Sequence, residues 1–216
     1  RMIKRLEAKS HRNLEELLRE IASNKTRHAR FLNTISMVEY IGARKIMKSQ
    51  HAGEMDMELL THLNEEIRHA WLVKRLAQQI DKSVTKTYAR ENLLCGVEAE
   101  AYIQELDMAA EKSLEAGGSC TNGLSQGWLN YLYTSQLIEE RAQVFYAAYS
   151  VVLDELGIGQ TLQSIMRDES KHLAQMAKRI GEVDLQSNSR LAELRRIEES
   201  AFGRWVDALW NSLENG

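Results

Sequence analysis

The residues of this chain that could do chemistry are carboxylates and imidazoles set at helical spacing. Glu66 and His69 in Asn64-Glu65-Glu66-Ile67-Arg68-His69 are three positions apart, and so are Glu169 and His172 in Arg167-Asp168-Glu169-Ser170-Lys171-His172. Positions i and i+3 share a helix face, so each pair offers one oxygen and one nitrogen to a common point. Both segments have the form acid-Glu-x-base-His. Each trails a glutamate that stands where an apolar residue is expected: Glu39 lies 27 residues before Glu66, and Glu139 lies 30 before Glu169. Around these two glutamates the chain aligns with itself without gaps, Thr34 on Thr134, Met37 on Leu137 and Val38 on Ile138. The sequence reads as one helical hairpin written twice.

Brought together, the six residues make four carboxylates and two imidazoles. Burying four bare carboxylates is very costly; two divalent cations supply the opposite charge. Hard oxygen donors with imidazole suit iron or manganese. Glu-x-x-His alone is common in a chain with 24 Glu and 6 His. The weight lies in its repetition, each time one hairpin after a glutamate in core phase.

Several neighbours carry rival readings. Glu140 competes with Glu139 as the ligand, and the loser becomes a surface or supporting charge. His62 lies four residues before Glu66, on or beside the site face. It reads as a hydrogen-bonded core histidine, with an extra ligand as the alternative. His28 reads as structural, and His11 and His51 as surface. Tyr146, seven residues after Glu139, reads as a packed side chain with a satisfied hydroxyl, a redox role being the alternative. Gly42, Ala43 and Ala142 either leave room for a small molecule or allow close helix packing. Trp71 and the eight methionines read as core fillers. Lys74, Arg75, Lys178 and Arg179 follow the two histidine motifs, where helix C-termini favour cations; an RNA-binding surface is the competing reading.

The six residues and their order resemble the ferritin-like di-iron carboxylate superfamily, over about residues 27–182. Glu65 to His69 is similar to the D-E-x-R-H element of bacterial multicomponent monooxygenases, with Glu65 in place of Asp. Leu137 to Arg141 resembles the third ligand helix of the small tRNA hydroxylases that act on isopentenyl-modified adenosine. The resemblance implies that Glu66 and Glu169 bridge two metals. Glu39 and Glu139 would be terminal carboxylates, and His69 and His172 the nitrogen ligands. Asp168 and Glu65 would accept hydrogen bonds from the imidazoles and fix their tautomers.

The elements that must position these groups are helices. The 216 residues include no proline and only 12 glycines, which suits long unbroken helices. Apolar periodicity near 3.6 predicts helices over about 12–50, 54–80, 86–115 (one or two helices), 125–156, 160–180 and 189–213. A break is expected near Ser23-Asn24-Lys25-Thr26, where residues cap rather than propagate. Glycine joints fall at 51–53, 117–127 and 157–159. The expected fold is all-α: a ferritin-like four-helix bundle with a helical crossover and extra N- and C-terminal helices, forming a single domain over 1–216. Its metal-binding core is two hairpins, 27–80 and 125–181. The crossover and the tail should shape any cavity beside the site.

The remaining composition narrows the function classes. No apolar run approaches the roughly 18 residues of a membrane span, and the first twenty residues are charged, which does not read as a signal peptide. Cys95 and Cys120 are isolated, pointing to a reducing, cytoplasmic setting. A net charge of −3 provides no global attraction to nucleic acid or membrane, so nucleic acid is an unexpected partner, with tRNA left open by the resemblance. The leading expectation is an oxidoreductase that uses two Fe ions (Mn or mixed Mn/Fe as alternatives) and O2. It would hydroxylate or oxidise a small organic substrate or modified nucleoside, with an external electron donor. Alternatives are a ferroxidase or iron-handling protein, a rubrerythrin-like or dimanganese catalase-like peroxide enzyme, and a metal-free helical interaction module. A homodimer is the base-rate expectation.

Overall fold

Asn24 ends one helix and starts the next: its side-chain oxygen accepts from the Arg27 N–H at 3.0 Å, satisfying a donor that a helix start leaves free. The computed structural model describes residues 14–49, 53, 55–116 and 125–214. Among these, α1 covers 14–22, and α2 Lys25–Ser49, α3 Met57–Asp81, α4 Gly96–Ala116, α5 Gln126–Glu155, α6 Gln160–Val183 and α7 Ser187–Glu214 follow. No strand occurs among the described residues. His11, His51, Cys120 and most of the 51–53 and 117–127 joints lie outside them. Asp56 caps α3 through the Leu59 N–H at 2.9 Å, and Ser125 caps α5 through the Trp128 N–H at 3.1 Å. Gly157, with φ of 73°, turns the chain out of α5, a left-handed conformation that glycine adopts without strain.

The pairings follow the apolar stripes. α2 packs on α3 and α5 on α6, and the two hairpins meet through α2 against α5 and α3 against α6. Ser36 reaches the Ala70 carbonyl and Thr26 reaches Asp81, so α2 and α3 run antiparallel. Gln143 pairs with Ser170 and Tyr133 with Asp184, so α5 and α6 do too. α4 and α7 pack on each other and on α5. Leu17, Leu18, Ile21, Phe31, Leu132 and Tyr149 are fully buried at the centre. No helix among the described residues is long and apolar enough to cross a membrane.

Three sequence expectations need correction. The helix expected from 86 begins only at Gly96. Residues before it run back over α2, because Asn33 donates to the carbonyls of Thr87 and Asn92 at 2.9 and 2.8 Å, and Thr34 to that of Leu94 at 3.0 Å. These polar groups on a buried helix face capture backbone that would otherwise close a helical turn. Trp71 is not core: it is 56% exposed, beneath the Arg75 guanidinium, and Met47, Met57 and Met108 are also exposed. The basic residues after the histidine motifs do not serve helix ends, since neither α3 nor α6 has a basic residue in its last turn. Lys74 instead lies over the Tyr88 ring and donates to Asn33, and Arg179 pairs with Asp56 and Glu58 at the start of α3.

Candidate metal centre

Four helices each deliver one segment of the candidate cluster. Glu39 comes from the middle of α2, Glu66 and His69 from α3, Glu139 from α5, and Glu169 and His172 from α6. All six are buried. Their donor atoms, with those of His62, gather into two groups, each with atoms within 4.8 Å of one another: Glu39, Glu66, His69 and Glu169 in one, and His62, Glu66, Glu139 and His172 in the other. Glu66 belongs to both. Glu169 also faces both histidines, Oε1 lying 2.9 Å from His69 Nδ1 and Oε2 3.8 Å from His172 Nδ1.

The outer nitrogens of the histidines are held across the hairpins. His172 Nε2 lies 2.8 Å from Glu65 of α3, and His69 Nε2 lies 3.4 Å from Asp168 of α6. A ligating histidine commonly donates its far N–H to a carboxylate, which fixes the tautomer that aims a lone pair inward. The basic residues of the two motifs converge on Asp168, Arg68 from α3 and Lys171 from α6.

The rival residues separate cleanly. Glu139 points inward, while Glu140 turns to α7 and accepts from Arg195 at 2.6 and 2.7 Å. His62 is in the cluster: Nε2 is 3.2 Å from Glu66 and 3.4 Å from Glu139, and Nδ1 is 2.8 Å from the Tyr131 hydroxyl. It is thus hydrogen-bonded and buried, and also on the site face. Tyr146 donates its hydroxyl to Glu39 of the other hairpin. His28 stays out of the site, 2.8 Å from the Tyr149 hydroxyl; burial lowers its pKa to about 4. Gly42 has a local reason to lack a side chain: a Cβ there would lie 2.7 Å from Glu66 Oε2. Tyr131, two turns before Glu139, joins the site through His62; its one signal in the sequence is its place near the Glu139 face of the helix.

Without metal the cluster balances its charge with protons. Burial lowers the histidines, but adjacent carboxylates outweigh it, pushing His62 and His69 up to about 9 and His172 to about 11. Burial, with the charges of Glu169 and Glu66 beside it, holds the Glu39 carboxyl well above the usual range. Burial and Glu139 push Glu169 up as well. Yet buried His69 Nδ1, His172 Nδ1 and Glu139 Oε2 have no well-aligned hydrogen-bond partner. Unpaired buried polar atoms are rare and call for a cause. Inward nitrogens backed by carboxylates, a shared glutamate and a cradle emptied at Gly42 fit a pair of cations.

A cavity of about 90 Å³ opens from the cluster. One wall is Glu39, Glu66, Glu139 and Glu169; Ile35, Val38, Ile138 and Phe145 line its sides, and Ile103 of α4 with Phe202 and Trp205 of α7 close it. The crossover and tail helices do shape it. No family model, curated protein or solved structure matches the chain.

Proposed function

We propose that α2, α3, α5 and α6 form a ferritin-like four-helix bundle holding two iron ions, and that the chain is an oxidoreductase that uses O2 to hydroxylate or oxidise a small organic substrate. The observation that carries this reading is the pair of four-residue groups sharing Glu66, with the inward nitrogens of His69 and His172 facing carboxylate oxygens without a well-aligned hydrogen bond and their outer nitrogens beside carboxylates. Glu66 and Glu169 span the two positions; Glu39 with His69, and Glu139 with His172, complete them.

When bound, the metal pair supplies the redox chemistry that reduces dioxygen. In a hydroxylation, one oxygen atom enters a substrate C–H bond. The other leaves as water, with two electrons from an external donor and two protons. The chain's own part is positional. The apolar walls exclude water and hold the substrate against the carboxylates. Tyr146 orients Glu39 through its hydroxyl. Glu65 and Asp168 lock the imidazoles. Asp168, joined to Arg68 and Lys171 at the protein surface, gives protons a hydrogen-bonded route towards His69.

The test is anaerobic loading with Fe(II) followed by oxygen. Two irons per chain and a transient visible absorption support the reading. Less than one metal per chain under metal-replete conditions overturns it.

A further inference from the structure

The two halves of the metal cluster are not copies of each other. In the self-alignment of the hairpins, Glu66 falls on Glu169 and Glu39 on Glu139. His62, one turn before Glu66, then falls on Ile165, one turn before Glu169. Tyr131, two turns before Glu139, falls on Phe31. Both apolar counterparts are fully buried. One half therefore carries a contacting His–Tyr pair where the other carries Ile and Phe. Burying an imidazole and a phenol is costly unless they are hydrogen-bonded, and here each meets the other, with His62 also on Glu66. The half with isoleucine and phenylalanine is evidence that packing there does not require them.

The geometry points to His62 as a seventh ligand, a second nitrogen at the position held by His172. This rests on the reading of the cluster as a two-metal centre. His62 Nε2 lies 3.2 Å from Glu66 Oε1 and 3.4 Å from Glu139 Oε1, the oxygens that His172 Nδ1 also faces, at 3.8 and 3.5 Å. The two imidazole rings lie 3.9 Å apart, centre to centre. Glu139 Oε2, buried beside them, has no hydrogen-bond partner. For Nε2 to present a lone pair, the ring proton must sit on Nδ1, and the Tyr131 oxygen at 2.8 Å is there to accept it.

His62 binds in a different sense from the other two. His69 and His172 face the cluster with Nδ1 and are backed at Nε2 by carboxylates, which raises ligand basicity. His62 faces it with Nε2 and is backed by a neutral phenol. The centre becomes inequivalent: one position has His62, His172, Glu66 and Glu139, and the other has His69 and three carboxylates, one of them tied to Tyr146. Imidazole favours later divalent metals more than carboxylate does. The nitrogen-rich position should therefore hold Fe(II) better than Mn(II), while the oxygen-rich position discriminates less.

The experiment uses the full chain, loaded anaerobically with isotopically enriched Fe(II) and examined by metal analysis and Mössbauer spectroscopy. The variants are His62→Ile, the residue of the matching position, and Tyr131→Phe, which keeps the ring and removes the acceptor. Far-ultraviolet circular dichroism verifies folding. Wild type should show two doublets of equal area. His62→Ile should change one doublet only and weaken one of the two irons by roughly tenfold or more. Tyr131→Phe should shift the same doublet with a smaller loss. If wild type binds two irons and both folded variants leave spectra and affinities unchanged, His62 is not a ligand, although the two-metal reading stands. If wild type binds no iron, both fall.

Discussion

Glu65 and His172 stand 107 positions apart in the chain, on different hairpins, and meet at 2.8 Å. In the neutral imidazole the contact favours the proton on Nε2 and leaves Nδ1, which faces the cluster, free to bind a metal. Asp168 does the same for His69. Each hairpin orients the histidine of the other, so neither half of the centre is complete by itself.

Glu65→Gln should therefore weaken metal binding by roughly 10- to 100-fold without removing any ligand. Competition with a chelator of known affinity measures it. Glu140→Gln, on the outer face beside Arg195, is the matched control and should leave affinity unchanged. Equal losses in both variants would contradict the role given to Glu65.

Gly42→Ala separates helix stability from site geometry. Alanine gains about 1 kcal/mol over glycine in a helix interior. The new Cβ, 2.7 Å from Glu66 Oε2, meets only the movable end of that side chain. The variant should melt at the wild-type temperature or above when metal-free, yet take up less metal. Thermal unfolding with and without Fe(II) shows both effects, and undiminished stabilisation by metal would refute the cradle.

Acidity should act with opposite sign at two places. In the metal-free protein, His62 and His69 are raised to about 9 and His172 to about 11, from 6.5. A raised folded pKa stabilises fully below about pH 6.5, and the contribution is lost as pH climbs through 9 and then 11. Metal must displace these protons, so binding at neutral pH releases them and affinity rises with pH; weakly buffered titration detects the release. His28 runs the other way. Its folded pKa of about 4 means that stability present above 6.5 is lost as pH falls towards 4, by about 2 kcal/mol between pH 7 and 5. In urea unfolding, His28→Gln should remove that part of the acid sensitivity.

The cavity wall depends on a buried ion pair. Arg141 of α5 donates to Glu198 of α7 at 2.8 and 2.6 Å and lies over the Phe202 ring, while Tyr102 of α4 donates to the same carboxylate at 2.8 Å. Glu198→Ala strands a mostly buried guanidinium and a phenol, and should cost about 3 kcal/mol. Glu199→Ala, on the exposed side of the same helix, should change stability by less than about 0.5 kcal/mol. Denaturant titration compares the two.

The sequence by itself determined the helices and the ligand types. Periodicity, caps and the absence of proline are local properties, and they place α2, α3, α5, α6 and α7 within about three residues of their observed ends. The six inward residues could be read because Glu-x-x-His is a single-helix geometry and the hairpin repeats. Tertiary structure decided everything that depends on contacts between helices. Spacing alone left Glu139 and Glu140 open; in the fold Glu139 joins the buried cluster, while Arg195 of α7 draws Glu140 outward. Trp71 has the residue type of a core filler, but among the described residues it stays exposed beneath Arg75. Residues 85–95 are captured by Asn33 and Thr34 rather than continuing as helix. The partner of His62 was likewise invisible: a tyrosine 69 positions away becomes its hydrogen-bond acceptor only once α3 and α5 are side by side.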